Sequence, residues 1–218
     1  MVCIPVFDNI LFTKKINLNT FMTMIHCHQK KLVAKAILNI ILFLFLFTIA
    51  GTASAQEMSL FSFGKGKIHV KLYSNYFCGA CRNLEPKIEY LVVDLIKKDI
   101  ITITFVDVAS NRSSLLYAQY FLYILNDNKT IEHALKARTA LFEASKIPID
   151  NQDKLGSFLQ MKGFKPKIFD TKAVFTILQN HIQGDRVSST PTCIIINGDK
   201  KEVFIGDENI LKGLENLR

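Results

Sequence analysis

The chain has 218 residues, of which 49% are apolar and 21% are charged, and it contains no Trp. This length fits one domain with additions. The formal net charge is +8, but residues 1–55 hold five lysines and only one acidic residue. The rest of the chain therefore carries 22 basic and 18 acidic residues, a net charge of +4. Such a mild and dispersed charge is typical of a soluble surface and excludes a nucleic-acid-binding face.

The first predicted element is a secretory signal peptide. Its positive flank is formed by Lys30, Lys31 and Lys35. An apolar run over 37–50 follows, and the small residues 53–55 fit cleavage between Ala55 and Gln56. The run is shorter than the ~20 residues that span a bilayer, which favours cleavage over an uncleaved anchor helix. We therefore predict a presequence over 1–55 and a periplasmic or extracytoplasmic location.

Residues 1–21 precede this signal, although a signal peptide ordinarily starts close to its positive flank. We therefore expect translation to start at Met22 or Met24, and the mass of the unprocessed precursor tests this start. A precursor that begins at Met1 would contradict it. Whichever methionine is the start, cleavage after Ala55 leaves three cysteines in the mature chain, which are Cys78, Cys81 and Cys193. Three cysteines are too few for a disulfide-rich scaffold, which indicates a chemical role for the close pair.

The mature chain opens with residues 56–67, a short stretch of mixed polarity in which Gly64 and Gly66 indicate a loop before the first clear strand. A strand is predicted over 68–73, where apolar and polar residues alternate. A helix over 79–96 follows, and Pro86 is expected to kink it. A second strand over 100–108 is rich in β-branched residues. A strand, a helix and a strand in this order imply a parallel pair joined by a right-handed crossover.

Helices fill the segment 109–184. Four are predicted, over 113–125, 130–145, 151–162 and 171–182. The first is apolar nearly all round, so it should be buried on most sides. Its aromatic residues, and Phe142 in the second helix, are interpreted as core rather than as the lining of a cofactor pocket. Asp170 is the expected N-cap of the last helix, and Gly184 is its expected end.

A hairpin and a helix complete the chain. One strand follows Pro191, and Asn197-Gly198 indicates a tight turn. Residues 202–205 return as the second, antiparallel arm of this hairpin. An amphipathic helix is predicted over 208–217.

The pair Cys78 and Cys81 lies where the first predicted strand gives way to a helix. A helix N-terminus presents free backbone N–H groups and the positive end of the helix dipole. A sulfur placed there ionises more easily, and the thiolate is the reactive form of cysteine. The Cys-x-x-Cys motif alone fits a zinc site, a metal-transfer site, a structural staple or a redox pair. A structural zinc site needs four ligands, and no second ligand pair accompanies the motif, so we expect no structural zinc and assign no resident metal.

Three features together resemble the thioredoxin fold. They are the Cys-x-x-Cys at a strand-to-helix junction, Pro86 five residues beyond Cys81, and Thr190-Pro191-Thr192 ahead of the last hairpin and helix. The helical segment resembles the insertion that marks the DsbA-like branch of this family, and the resemblance covers residues 66–217. It implies an α/β fold in which 56–108 and 185–218 form a thioredoxin-like domain and 109–184 form an inserted helical subdomain.

The resemblance also assigns roles to the site residues. Cys78 would be the exposed nucleophile that forms a mixed disulfide with a substrate, and Cys81 would resolve it. Pro191 would follow a cis peptide bond and face the cysteines, so that the backbone of Thr190 can pair with an extended substrate segment. Phe77 is also assigned to substrate binding. No cofactor is implied.

Two features depart from the family pattern. The family commonly has an acidic residue six positions before the first cysteine, and Leu72 occupies this position here. The residues between the cysteines, Gly79 and Ala80, offer no polar side chain to a thiolate. We therefore expect a Cys78 pKa below the free value of ~8.5 but above the low end of the ~3.5–7.5 range.

Cys193 is interpreted as a buried structural residue.

The function implied by the resemblance is that of an exported thiol:disulfide oxidoreductase. It would form disulfides in cysteine-containing exported proteins, and a quinone-reducing membrane partner would reoxidise it. We expect a monomer, because no N-terminal dimerisation domain precedes the fold. Two alternatives stay open: a reductase fed by a membrane electron donor, and a binding protein, either a Cu(I) chaperone using Cys78 and Cys81 or a peptide binder. The redox potential distinguishes the reductase from the oxidase. Copper titration of the reduced protein distinguishes the Cu(I) chaperone from the oxidoreductases.

Overall fold

The structure is a computed structural model that describes residues 60–218. The predicted presequence and the alternative starts, Met22 and Met24, lie outside the described residues. Over 60–218, no helix is long and apolar enough to cross a lipid bilayer. In the same part of the chain, no group of three or more His, Cys, Asp or Glu side chains is arranged to hold a metal ion.

A five-stranded mixed sheet forms the centre of the described chain, with the strand order β1-β3-β2-β4-β5. The strands are β1 (Ser62–Gly64), β2 (Ile68–Ser74), β3 (Ile101–Asp107), β4 (Thr192–Asn197) and β5 (Lys200–Ile205). β2 and β3 are parallel, as the strand-helix-strand pattern predicts. The other neighbouring pairs are antiparallel. The predicted hairpin is confirmed as β4 and β5, which are joined by a two-residue turn at 198–199.

The helices of the described part are α1 (Gly79–Lys97), α2 (Arg112–Asp127), α3 (Ile131–Ala144), α4 (Gln152–Met161), α5 (Lys172–Gly184) and α6 (Asp207–Glu215). Their ends lie within a few residues of the predicted ones. The start of α5 differs from the prediction, because the N-cap is Thr171 and not Asp170. Asp170 lies one residue before the N-cap, and its carboxylate accepts a hydrogen bond from the N–H of Lys172 (2.9 Å). The helix ends at Gly184 as predicted, but Gly184 itself is helical, and the left-handed residue that follows the helix is Arg186 (φ 54°).

The loop predicted around Gly64 and Gly66 is present, but a short strand that was not predicted, β1, comes before it. This short strand pairs with β3, and the hydroxyls of Ser62 and Thr104 lie 2.9 Å apart across the pair. Phe61 and Phe63 are buried on the same stretch. Gly66 then brings the chain so close to β3 that a Cβ would lie 2.1 Å from the carbonyl carbon of Ile100. Only a glycine allows this approach.

The site lies at the edge where the two parallel strands end. β2 leads into α1 and β3 leads into α2, so both connections leave the sheet at the same edge. α1 packs against α6 and also against α3 of the helical segment. The aromatic residues predicted for the core are buried: Tyr117, Tyr120, Phe121 and Phe142. α2 is less enclosed than predicted at Leu115, which is 37% exposed because it lines an open groove between α2 and α5.

Candidate active site

The loop between β2 and α1 is held in place by Asn75, which is buried. Its side-chain amide donates to the carbonyl of Val108 (2.7 Å), and its side-chain oxygen accepts from the N–H of Phe77 (2.8 Å). Its backbone carbonyl accepts from the N–H of Cys78 (3.0 Å). The position of Cys78 is therefore fixed relative to the end of β3. The sequence pattern did not single out Asn75, although asparagine is a common turn former.

The two cysteines of the motif occupy different environments at the start of α1. Cys78 is the N-cap, and its sulfur accepts a hydrogen bond from the backbone N–H of Cys81 (3.2 Å). Cys78 is half-buried, whereas Cys81 is 1% exposed, and both are free thiols. A side chain at Gly79 would meet no atom within 4 Å. The space beside Cys78 is therefore open to a partner molecule.

Thr190 and Pro191 lie across from Cys78. The peptide bond between them is cis, and the Cys78 thiol donates to the carbonyl of Thr190 (3.3 Å). Phe77 is 40% exposed, and its ring meets the ring of Tyr117 edge-on with the centroids 4.9 Å apart. The structure thus places the predicted site residues at one end of α1: Cys78, Cys81, Thr190, Pro191 and Phe77.

The two thiols differ in acidity. Burial acts to raise the pKa of Cys78, but hydrogen bonds from the thiol and backbone N–H of Cys81 and from the side chain of Thr190 outweigh it, so this pKa lies below its ordinary value. Burial dominates at Cys81 and, together with the hydrogen bond to Cys78, raises its pKa to about 12. Cys78 is therefore the thiol that ionises more readily.

A buried ion-pair cluster lies behind the site. Arg138 of α3 is 0% exposed. Its guanidinium contacts Glu85 of α1 (3.1 Å) and Asp107 at the end of β3 (3.2 Å), and it donates to the hydroxyl of Ser74 at the end of β2 (2.7 Å). The hydroxyl of Tyr76 donates to Asp107 (3.1 Å). The cluster joins the helical segment to both strands that lead into the site.

The charge in this cluster is unbalanced, because one guanidinium faces two carboxylates. Burial acts to lower the pKa of Arg138, but Glu85, Tyr76 and Asp107 hold it above its ordinary value, so the guanidinium stays charged. Burial raises the pKa of Asp107, although Arg138 opposes that shift. Leu72, at the position where the family commonly has an acid, is buried. The acidic groups behind the site are thus Glu85 and Asp107, and neither was predicted from the sequence.

Comparison with known proteins assigns the chain to a family. The sequence model of the family described as thioredoxin matches residues 64–216. The chain belongs to the thioredoxin family. No curated protein matches it.

Solved structures similar to this thioredoxin-family chain have the predicted fold. A periplasmic thioredoxin-like protein from Salmonella enterica serovar Typhimurium is 20% identical with a TM-score of 0.53, covering 72% of this chain and 88% of its own. Wolbachia pipientis alpha-DsbA1 is 14% identical with a TM-score of 0.56, covering 72% and 89%. A putative protein-disulfide isomerase from Pseudomonas syringae is 12% identical with a TM-score of 0.58, covering 74% and 99%. The predicted α/β thioredoxin fold with a DsbA-like helical insertion is confirmed.

Titration of the reduced protein is expected to show one thiolate that forms below pH ~8.5. In this thioredoxin-family site the thiolate should belong to Cys78, because the pKa values of Cys81 and Cys193 are both raised to about 12. Thiolate absorbance measures the transition, and Cys78→Ser is the control that should lack it. A transition at the free value would contradict stabilisation of the thiolate by the start of α1.

Cys193 is buried away from solvent in β4, where it is 0% exposed and pairs with Leu72 of β2. Burial alone raises its pKa to about 12. Its predicted burial is therefore confirmed. A thiol in this environment is neither accessible nor ionised at neutral pH.

Alkylation of the native, reduced protein is expected to modify Cys78 fastest and to leave Cys193 intact until the chain unfolds. The reagent needs an accessible thiolate, and Cys193 offers neither the access nor the charge. Mass spectrometry of peptides taken over time measures the order of modification, and denatured protein supplies the three-site reference. Rapid labelling of Cys193 in the native protein would show that it is a third reactive thiol.

Proposed function

We propose that the chain is an exported thiol:disulfide oxidoreductase that exchanges a Cys78–Cys81 disulfide with cysteine-containing proteins. The observation that carries this proposal is the contrast between two thiols in contact. Cys78 is half-exposed with a lowered pKa, whereas Cys81 is buried with a raised one. Such a contrast separates the attacking thiol from the resolving thiol. The fold shared with alpha-DsbA1 and with a putative protein-disulfide isomerase supports the same chemistry.

Oxidation of a substrate dithiol would proceed in two exchange steps. The first substrate thiolate attacks the Cys78 sulfur, which forms a mixed disulfide and releases Cys81 as a thiolate. Cys81 then takes up a proton because its pKa is raised. The second substrate thiolate attacks the substrate sulfur of the mixed disulfide, so the substrate gains a disulfide and Cys78 leaves as a thiolate. The substrate loses two electrons and the Cys78–Cys81 pair gains them.

The direction of electron transfer depends on how strongly the protein stabilises the Cys78 thiolate. A thiol of low pKa is a good leaving group, and stabilising its thiolate favours the reduced form of the pair. The lowered pKa of Cys78 has the sign that an oxidase needs, and the redox potential decides between an oxidase and a reductase fed by a membrane electron donor.

Thr190, Pro191 and Phe77 are proposed to bind the substrate. The carbonyl of Thr190 lies 3.3 Å from the Cys78 sulfur, so a substrate segment that pairs with the Thr190 backbone would pass directly over the thiol in the manner of an added strand. The exposed ring of Phe77 offers an apolar contact next to it. The open space at Gly79 leaves room for the chain to pass.

The proposal includes a cellular setting. We place the mature chain in the periplasm or an equivalent compartment after cleavage near Ala55-Gln56, because disulfides persist there. The similar protein from Salmonella enterica serovar Typhimurium is described as periplasmic. Residues 56–108 and 185–218 would form the thioredoxin-like domain, and 109–184 would be the inserted subdomain. A quinone-reducing membrane protein would reoxidise this monomeric catalyst.

The redox potential and a peptide oxidation assay test this proposal together. Equilibration with glutathione buffers is expected to give a potential of about −120 to −200 mV, more oxidising than the ≈ −270 mV of thioredoxin. The oxidised protein should also form a disulfide in a reduced two-cysteine peptide, and the Cys78→Ser/Cys81→Ser double variant is the blank. A potential near that of thioredoxin would favour the reductase. No exchange with any peptide would remove the enzyme proposal.

A further inference from the structure

A cavity of about 290 Å³ lies between α1 and α3. Its lining includes Arg82, Pro86 and Glu89 of α1 and Phe142, Glu143 and Lys146 at the end of α3. Cys78 and Arg82 are four residues apart, so they lie on the same side of α1, about 6 Å apart along its axis. The backbone N–H of Arg82 donates to the carbonyl of Cys78 (3.1 Å), which fixes this spacing. The cavity therefore begins one helical turn from the reactive sulfur.

Most N–H donors of the Arg82 guanidinium have no hydrogen-bond partner within the described residues. Its one side-chain hydrogen bond within the described residues runs from Nη2 to the hydroxyl of Ser145 at 3.5 Å, which is long for such a bond. Its Nε is buried and has no partner in this part of the chain. A guanidinium has five N–H donors, and a buried donor without a partner destabilises the free protein. An incoming acceptor would satisfy these donors.

The charges around the cavity favour an anion at the end near Cys78. Arg82 contacts Ser145, which directly precedes Lys146, and both cationic side chains belong to the lining of the cavity. The acidic members of the lining are Glu85, Glu89 and Glu143. Glu85 is paired with Arg138, and Glu143 is paired with Lys162 (2.8 Å). Glu89 lies about two helical turns beyond Arg82, where it would repel an anion toward the Cys78 end.

We propose that this cavity is a substrate subsite that binds an acidic side chain close to the reacting cysteine of the substrate, with Arg82 as the main contact and Lys146 in support. The inference rests on the proposed function, because it names the polypeptide substrates that the same site prefers. An extended peptide advances about 3.3 Å per residue. The axial rise of about 6 Å between positions 78 and 82 matches two residues of such a peptide, so we assign the subsite to a position two residues from the substrate cysteine. A guanidinium binds a carboxylate through paired, charge-assisted hydrogen bonds.

Matched peptides test this preference. The substrates are reduced peptides with two cysteines, and the oxidised protein is used to oxidise them. The peptides differ only in one residue, which is Glu, Gln or Lys and lies two residues before or after the first cysteine. At low salt we expect the Glu peptide to react about tenfold faster than the Gln peptide, with the Lys peptide slowest, and we expect salt to reduce the ratio. Arg82→Gln should bring the Glu-to-Gln ratio to about one, while Arg82→Lys should keep part of it. The ratio cancels any effect of these substitutions on the cysteines themselves.

Controls separate the subsite from general electrostatics and from folding. Lys97→Gln removes the same charge about 22 Å farther along α1 and should leave the ratio unchanged. Lys146→Gln, at an exposed position, should reduce the ratio in part even if Arg82→Gln folds poorly. Equal rates for the Glu and Gln peptides with the unmodified protein would overturn the inference. Failure to oxidise any peptide would instead contradict the proposed function.

Glutathione also carries carboxylates close to its cysteine, so it is the alternative ligand for this cavity. A separate experiment compares the rates at which glutathione and its diester reduce the oxidised protein. Equal peptide rates combined with a preference for glutathione over the diester, lost in Arg82→Gln, would overturn the polypeptide assignment and place glutathione in the cavity. Equal rates for glutathione and its diester, with the peptide ratio intact, would support an acidic polypeptide segment.

Discussion

Arg138→Met is expected to lower the free energy of unfolding by about 3–5 kcal/mol, the range for removing one partner of a buried ion pair. Methionine retains much of the apolar length of the side chain, but Glu85 and Asp107 lose the cation that contacts both at 3.1 and 3.2 Å. The hydroxyl of Ser74 loses its donor at 2.7 Å as well. Denaturant unfolding measures the loss. Single domains are stable by about 5–15 kcal/mol, so the variant would keep only part of the native stability.

The pH dependence of this loss has a definite sign. Burial raises the pKa of Asp107 in the native state, and Arg138 opposes that shift, so the substitution raises this pKa further. A raised carboxyl pKa gives a contribution to stability that is full below the unfolded value of ~3.9 and is lost as pH rises through the folded pKa. The deficit of Arg138→Met should therefore be smaller at pH 5 than at pH 8.

Two controls distinguish the buried charges from a general effect of losing an arginine. Arg112 is exposed at the start of α2, so Arg112→Met should change stability by less than about 0.5 kcal/mol. Adding Glu85→Leu and Asp107→Asn to Arg138→Met should recover much of the loss, because well-packed replacements of a buried ion cluster are often neutral. Native-like stability of the single Arg138→Met variant at pH 8 would contradict the contribution of the cluster.

The elements with their own apolar period could be predicted from the sequence, and the element without one could not. β2, α1 and β3 each carry their pattern within a single segment, so their order and parallel pairing followed. β1 has three residues, and it is a strand because it pairs with β3, with Ser62 and Thr104 separated by 42 positions in the chain. The residues of β1 alone do not indicate that this pairing forms.

The site shows the same division between motifs and long-range contacts. Cys78, Cys81 and Pro191 could be predicted because their spacing and neighbouring elements resemble a known pattern. The cluster behind them gave a weaker signal. Glu85 interrupts the buried face of α1, and Arg138 lies on the buried face of α3. A charge on an apolar helix face indicates a buried partner, but the pattern does not say which of the many opposite charges that partner is.

Cys81→Ser is expected to hold substrates as mixed disulfides. The Cys78 thiolate of the reduced variant attacks a substrate disulfide, forms one new sulfur–sulfur bond and releases one substrate thiolate. The Cys81 thiol that would break this bond is missing, so turnover should fall by about 10⁴-fold or more, the scale seen when one member of a catalytic unit is removed. Electrophoresis without reductant and mass spectrometry measure the trapped complex with an insulin-type substrate.

The matched variants give opposite outcomes because the two thiols are not equivalent. Cys78→Ser should neither turn over nor trap, since Cys81 is 1% exposed and its pKa is raised to about 12. Cys193→Ala should retain turnover, because its thiol is buried in β4 and does not take part in exchange. If Cys78→Ser trapped substrate instead, Cys81 would have to leave its buried position and attack. The acidity of a half-exposed sulfur at the start of α1 would then have no role in exchange.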